Sequence, residues 1–108
     1  MILNKSAYEI IDIKIEYANT FFKRFKGLML KNDIDFGVVF TNLSGSSIHT
    51  MFMRFEIDVY FLDENNIIFE KASLKPWRFY TPKRHPKSIL ETKRNHVNLK
   101  IGEKIEFQ

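Results

Sequence analysis

The sequence predicts an α+β fold: one small, mostly antiparallel, β-barrel-like domain with a single packed amphipathic helix, covering residues 1–108. Three observations predict it. Apolar and polar residues alternate in several short runs, which is the two-residue period of half-buried strands. One stretch, Phe21 to Met29, instead places its large apolar residues at three- and four-residue steps, the period of a helix face. Turn-forming clusters separate the runs at short intervals, as they do in small barrels. At 108 residues the chain can enclose one core, with no separate lid or cofactor domain.

Along the chain, Ile11, Ile13, Ile15 and Tyr17 alternate with Asp12, Lys14 and Glu16, a half-buried strand. Asn19 or Thr20 then caps the helix, whose Phe21, Phe22, Phe25, Leu28 and Met29 face inward while Lys23, Arg24 and Lys26 face out. Gly27 costs that helix about 1 kcal/mol against alanine, or permits close packing on a neighbour. "DFGVVF" reads as a short buried strand and "TNLSGSS" as a turn-forming linker. Ser47 to Asp63 supplies one or two strands, "DENN" a hairpin turn, and "IIFEKA" the returning strand. Pro76, Pro82 and Pro86 interrupt ladder pairing and make Leu74 to Lys87 a long basic, aromatic loop. "SILET" and "HVNLKI" are further short strands, and "GEK" turns the chain into "IEFQ".

Composition narrows the class. With 44% hydrophobic and 28% charged residues the chain has the balance of a globular protein rather than a disordered tail. No apolar run approaches the roughly 18–20 residues of a membrane span. The opening "MILNKSAYEI" lacks the basic-then-apolar order of a secretory signal, so a cytoplasmic location is expected. Without cysteine there are no disulfides or thiolate metal sites. The formal charge of +4 is concentrated: Lys75 to His96 holds seven Lys or Arg against Glu91 alone, and the remaining ten bases face twelve acids. A local excess of this kind concerns partners rather than fold.

Several residue sets could carry chemistry. If Ser47 to Phe55 is extended, His49, Met51, Met53 and Phe55 face one way, and Ile48, Thr50, Phe52 and Arg54 the other. An imidazole with two thioethers suits a soft ion such as Cu(I). Methionines on a strand ordinarily fill a core, so no metal site is expected. Asp58 interrupts an apolar strand, and a carboxylate taken out of water needs a partner; Arg54, Lys75 and Arg78 are of the right kind. Asp63 to Asn66 gathers oxygens but lacks the bidentate acid of a calcium loop, which leaves a simple turn. "KPWRFYTPKRHPK" interleaves bases with Trp77, Phe79, Tyr80 and His85, a mixture that can stack bases and neutralise phosphates. Trp77 after Pro76 is equally suited to capping the end of a barrel. Ser44, Ser46 and Ser47 lie near His49 without a nucleophile elbow, there is no phosphate-cradling glycine loop, and no cofactor is expected.

In order, "RFKGLML", "GVVF", "SIHTMFMRFEIDVYFLD", "LKPWR" and "SILE" resemble the uncharacterised family numbered 192 among the domains of unknown function, over about Tyr17 to Phe107. The resemblance implies a compact, β-rich, barrel-like fold with one packed helix. The positions matching its pattern are Arg24, Gly27, Leu28, Met29, His49, Thr50, Met53, Arg54, Asp58, Asp63, Lys75, Pro76, Trp77, Arg78, Leu90 and Glu91. Met51 stands where the family usually has an aromatic, Glu56 where it has a proline, and "TKRNHVNL" where it has a glycine-containing turn.

The expected function is that of a small non-enzymatic binding or accessory domain with a polar ligand pocket at a barrel mouth. His49, Arg54, Asp58, Lys75, Trp77 and Arg78 form that pocket. Its charge favours a small anionic or sugar-like ligand, with Trp77 as the stacking surface. One alternative is a nucleic-acid-binding module using the loop from Lys75 to Lys87. A second is a small acid/base enzyme using His49 and Asp58, which requires those two side chains to converge.

Overall fold

The computed structural model describes residues 1–18, 33–41 and 47–108, and there the chain is all β. Its strands are β1 (Ile2–Asn4), β2 (Glu9–Ile11), β3 (Lys14–Ala18), β4 (Phe36–Phe40), β5 (Ile48–His49), β6 (Ile57–Leu62), β7 (Ile68–Leu74), β8 (Phe79–Tyr80), β9 (Ser88–Lys93) and β10 (Ile105–Phe107). No helix occurs among the described residues, so the α+β expectation is corrected to all-β. The reason lies in the pattern: the single run of helical period, Phe21 to Met29 with its cap at Asn19 or Thr20, falls outside the described residues. Every described apolar run has the period of a strand. No helix among the described residues is long and apolar enough to cross a membrane.

Five strands form the main sheet in the order β3-β4-β9-β6-β7. Only β3 and β4 pair in parallel; the other neighbours are antiparallel. The sheet is open, with β3 and β7 at its edges, so the described strands do not close into one barrel. A three-stranded sheet (β10-β1-β2) and a two-stranded ribbon (β5-β8) complete the fold.

Strand β6 is central, and all six of its residues are buried. Alternation divides them between two cores. Ile57, Val59 and Phe61 join Val38, Phe40, Ile89, Ile48, Met53 and Leu74 on one face. Tyr60 and Leu62 join Val39, Leu90, Ile68, Val97 and Leu99 on the other, where Ile2 and Ile105 bring in the three-stranded sheet. Burying a side chain of this size contributes about 1.5–3 kcal/mol, so β6 is the strand whose disruption costs most. Burial and the nearby charge of Asp58 push the Tyr60 phenol up to about 12; its hydroxyl donates to Val97 O at 2.9 Å.

Three local expectations change. The alternating run from Ile11 to Tyr17 is not one strand: Ile13 N–H turns back to Ile11 O at 3.1 Å, and the chain passes there from the three-stranded to the main sheet. Ile13 is buried as a result, while Tyr17 is 51% exposed. "HVNLKI" buries Val97 and Leu99 in alternation yet is not a strand, because side chains satisfy its carbonyls: Tyr60 holds Val97 O, and Lys71 Nζ lies 3.4 Å from Leu99 O. The loop expected from Leu74 to Lys87 begins later, since β7 runs through Leu74, and it contains β8.

The β6–β7 turn follows the chemistry of its residues. Asp63 Oδ1 accepts the amides of Asn65 (2.9 Å) and Ile67 (3.0 Å), and Asn66 takes the left-handed conformation at φ 60°, which asparagine tolerates better than most residues. Gly37 has a different purpose. A Cβ there would lie 3.1 Å from Ile15 Cδ1 and 3.2 Å from Leu90 Cδ1, so glycine lets those side chains close over β4.

Candidate functional site

Thr50 is fully buried and joins two segments of chain. Its N–H donates to Arg78 O (2.8 Å), and its carbonyl accepts the amides of Trp77 (2.9 Å) and Met53 (3.2 Å). Its hydroxyl donates to Lys75 O (2.6 Å) and accepts Arg78 N–H (2.7 Å). A side chain that both donates and accepts suits this position, because it satisfies two backbone groups of the opposing turn at once. Thr50 thereby locks residues 50–53 against residues 75–78.

The lock displays aromatic rings. Phe52 and Trp77 are both left-handed, at φ 62° and 61°, a conformation that costs non-glycine residues about 1–3 kcal/mol. Their rings meet at 4.8 Å, tilted by 59°, while 44% of Phe52 and 54% of Trp77 remain exposed. Beside them, the β5–β8 ribbon pairs His49 with Phe79 and Ile48 with Tyr80. Ile48 and Tyr80 point toward the core. His49 and Phe79 point away, their rings 6.4 Å apart, and Phe79 is 74% exposed. The result is an aromatic ledge of His49, Phe52, Trp77 and Phe79.

Cations border the ledge. Arg54, Lys75 and Arg78 are exposed. The Arg78 guanidinium folds back toward the carbonyls of Pro76 (3.4 Å) and Trp77 (3.3 Å), which keeps its charge beside the Trp77 backbone. Behind the ledge, Tyr80 donates to Glu70, and Lys83 N–H donates to the same carboxylate at 2.9 Å. Burial works against the Glu70 charge, but these two donors outweigh it and hold its pKa below the ordinary value. The same bond to Glu70 raises Tyr80.

The structure therefore gathers His49, Lys75, Trp77 and Arg78 at one junction and places Arg54 two residues after Phe52. Asp58 lies elsewhere. It is buried in β6 on the side away from Ile57 and Val59, where it accepts Ser73 Oγ at 2.6 Å and Asn95 N–H at 2.9 Å. These two donors satisfy the carboxyl oxygens within the fold. The ledge rests on the opposite core through Ile48 and Met53, so His49 and Asp58 do not converge and the acid/base pair does not form. The common face of His49, Met51 and Met53 is also absent: β5 ends at His49, the chain turns, Met53 is buried and His49 is exposed. Among the described residues no three His, Cys, Asp or Glu side chains come together.

Sequence reasoning missed Phe52 as a partner of Trp77. Strand alternation assigns it to the side of Thr50, and no glycine or asparagine marks the left-handed turn. It also gave Glu91 no role beyond that of a family-pattern position and the one acid of a basic segment. Register places this acid in an otherwise apolar row, Val38–Glu91–Val59–Ala72, and burial pushes its carboxyl up to about 8.

Comparison with known proteins gives consistent results. The sequence profile of the DUF192 family, described as Uncharacterized ACR, matches residues 2–107. A UPF0127 protein of Thermococcus sibiricus is 38% identical over all of this chain and 75% of its own length. Another, from Pyrococcus furiosus, is 36% identical over 97% of this chain and 96% of its own. Among solved structures, a protein of unknown function from Novosphingobium aromaticivorans superposes with a TM-score of 0.78 at 18% identity, covering 88% of this chain and 75% of that one. A Sinorhizobium meliloti protein described as a candidate transcription regulator superposes with a TM-score of 0.84 at 17% identity, covering 97% and 88%. At such identities the likeness concerns the fold alone.

Proposed function

The chain belongs to the DUF192 family, whose description as uncharacterized assigns no activity, and from that premise we propose that it is a non-enzymatic binding domain whose ledge takes a small anionic or sugar-like ligand. One observation carries this reading. Phe52 and Trp77 are held in a strained backbone conformation with their rings packed at a tilt, yet about half of each remains in water. Strained residues persist only where the surroundings over-determine them, and they cluster at ligand clamps. Burial of Thr50 supplies that over-determination. The exposed ring faces offer a stacking surface, and Arg54, Lys75 and Arg78 provide the charge for a carboxylate. The site is an open ledge rather than a pocket, and Asp58 serves as an internal fastener instead of a wall.

Trp77 is the only tryptophan in the chain, so its fluorescence reports on the ledge directly. Glucuronate and galacturonate, titrated beside neutral glucose and galactose, should give saturable changes for the acids. Arg54→Ala and Arg78→Ala should each weaken binding about tenfold or more, the value of one charge-assisted hydrogen bond at about 1.5–3 kcal/mol. Flat titrations to millimolar concentration, or unchanged affinity in folded Arg variants, would overturn the reading.

A second reading, binding of single-stranded nucleic acid along Lys75 to Lys87, draws on the exposure of Lys75, Trp77, Arg78 and Phe79 at the ledge and of Lys83 and Lys87 further along the loop. Part of that charge is already engaged, since Arg84 pairs with Asp63 at 3.6 Å and lies over the Phe69 ring at 4.3 Å. This reading requires oligonucleotide affinity that falls steeply with salt; a blank gel shift at low salt excludes it.

A further inference from the structure

We propose that the protein carries a second small-molecule site, on the sheet face opposite the ledge, which takes an organic acid with a flat apolar body. A cleft of about 390 Å³ opens there, within the range of roughly 300–1,000 Å³ common to small-ligand sites. It lies between two edge strands, with Tyr17 contributed by β3 of the main sheet and Phe107 by β10 of the three-stranded sheet. Val39 and Pro86 complete apolar walls suited to a ring or a short hydrocarbon body.

The polar lining decides which apolar molecule fits. His85 and Lys87 line the cleft, and among the described residues no Asp or Glu does, so its electrostatic preference is for an anion. Their loop is anchored before any ligand arrives: Lys87 N–H donates to Leu62 O at 2.8 Å, and Lys83 N–H is held by Glu70. Anchoring of the backbone from which Lys87 projects reduces the ordering entropy lost on binding.

Ser88 adds a neutral polar group to the lining. It lines the cleft with 6% of its surface exposed. A hydroxyl both donates and accepts, so Ser88 offers either kind of partner to a polar atom of a molecule in the cleft. The alternation of β9 separates this site from the ledge. Ile89 belongs to the core beneath the ledge, whereas Leu90, on the same side as Ser88, belongs to the other core.

The test is amide NMR on isotopically labelled protein titrated with 2-naphthoate, and separately with uncharged 2-naphthamide. Saturable shifts are expected at Tyr17, Lys87, Ser88 and Phe107, with at least tenfold weaker binding of the amide. Lys87→Glu and Tyr17→Ala alter exposed side chains and should leave the fold intact; each should weaken 2-naphthoate binding at those amides, Lys87→Glu by tenfold or more. No saturable shift at these positions, equal affinity for acid and amide, or affinity unchanged in both variants would overturn the proposal. The Trp77 indole signal is followed in the same spectra, so failure at the cleft and failure at the ledge are distinguished.

Discussion

Replacing Glu91 with glutamine should flatten the pH dependence of stability above pH 5. In the folded chain Glu91 is 7% exposed and sits between Val38 and Val59, where burial moves its pKa from 4.5 to about 8. The unfolded chain releases this proton near the ordinary value, so the folded state binds it more tightly. Stability from this group is therefore complete below about pH 4.5 and is lost as pH rises through about 8. Each tenfold change in proton affinity is worth about 1.4 kcal/mol, so the whole span is worth roughly 5 kcal/mol at most, and roughly 3 kcal/mol of it is gone by pH 7. In a domain of this size 1 kcal/mol moves the melting temperature by about 4–8 °C. Urea unfolding of the wild type and Glu91→Gln between pH 5 and 8.5 isolates the effect, because other titrating groups cancel in the difference. The wild type should lose stability relative to the variant by several kcal/mol across that range. Parallel curves for the two proteins would refute a buried, neutral Glu91.

Other substitutions test the two fasteners and the ledge. Thr50→Val leaves Arg78 N–H and Lys75 O without their side-chain partner and should cost about 2–4 kcal/mol, with Trp77 emission shifted in the native baseline. Asp58→Ala removes the acceptor for Ser73 and for the left-handed Asn95; a loss of about 3 kcal/mol in urea unfolding is expected, and it should not alter ligand affinity in protein that remains folded. Phe52→Gly relieves the left-handed strain while removing a half-exposed ring, so stability should stay within about 1 kcal/mol of wild type while ligand binding falls.

Much of the architecture was legible where side-chain chemistry dictates backbone geometry. Asp63 and Asn66 announce their turn because carboxylate and amide side chains satisfy or tolerate it locally, and the apolar run through β6 announces a strand, though not its burial on both faces. What was not legible depends on partners distant in sequence. The break between Ile11 and Ile13 is made by one backbone hydrogen bond and by the switch between sheets, neither of which has a residue signature. Val97 and Leu99 showed their burial through alternation, but not that Tyr60 and Lys71 would occupy the carbonyls a strand neighbour would have taken. At the ledge, the residue types of "LKPWR" and the histidine suggested a shared surface. The positive φ at Phe52 and Trp77 could not be read, since neither is a residue that favours it. Asp58 looked like a site residue because an isolated buried acid needs partners; its partners are a hydroxyl and an amide from neighbouring strand ends, so it fastens the fold.

A ligand on the ledge touches the exposed faces of Phe52 and Trp77. The most direct measurement is the set of intermolecular NOEs between the protein and bound glucuronate. Contacts from the sugar ring to the Trp77 indole, and to Phe52 or Phe79, are predicted. NOEs confined to residues outside 49–54 and 75–79, with the Trp77 indole silent at saturation, would contradict it.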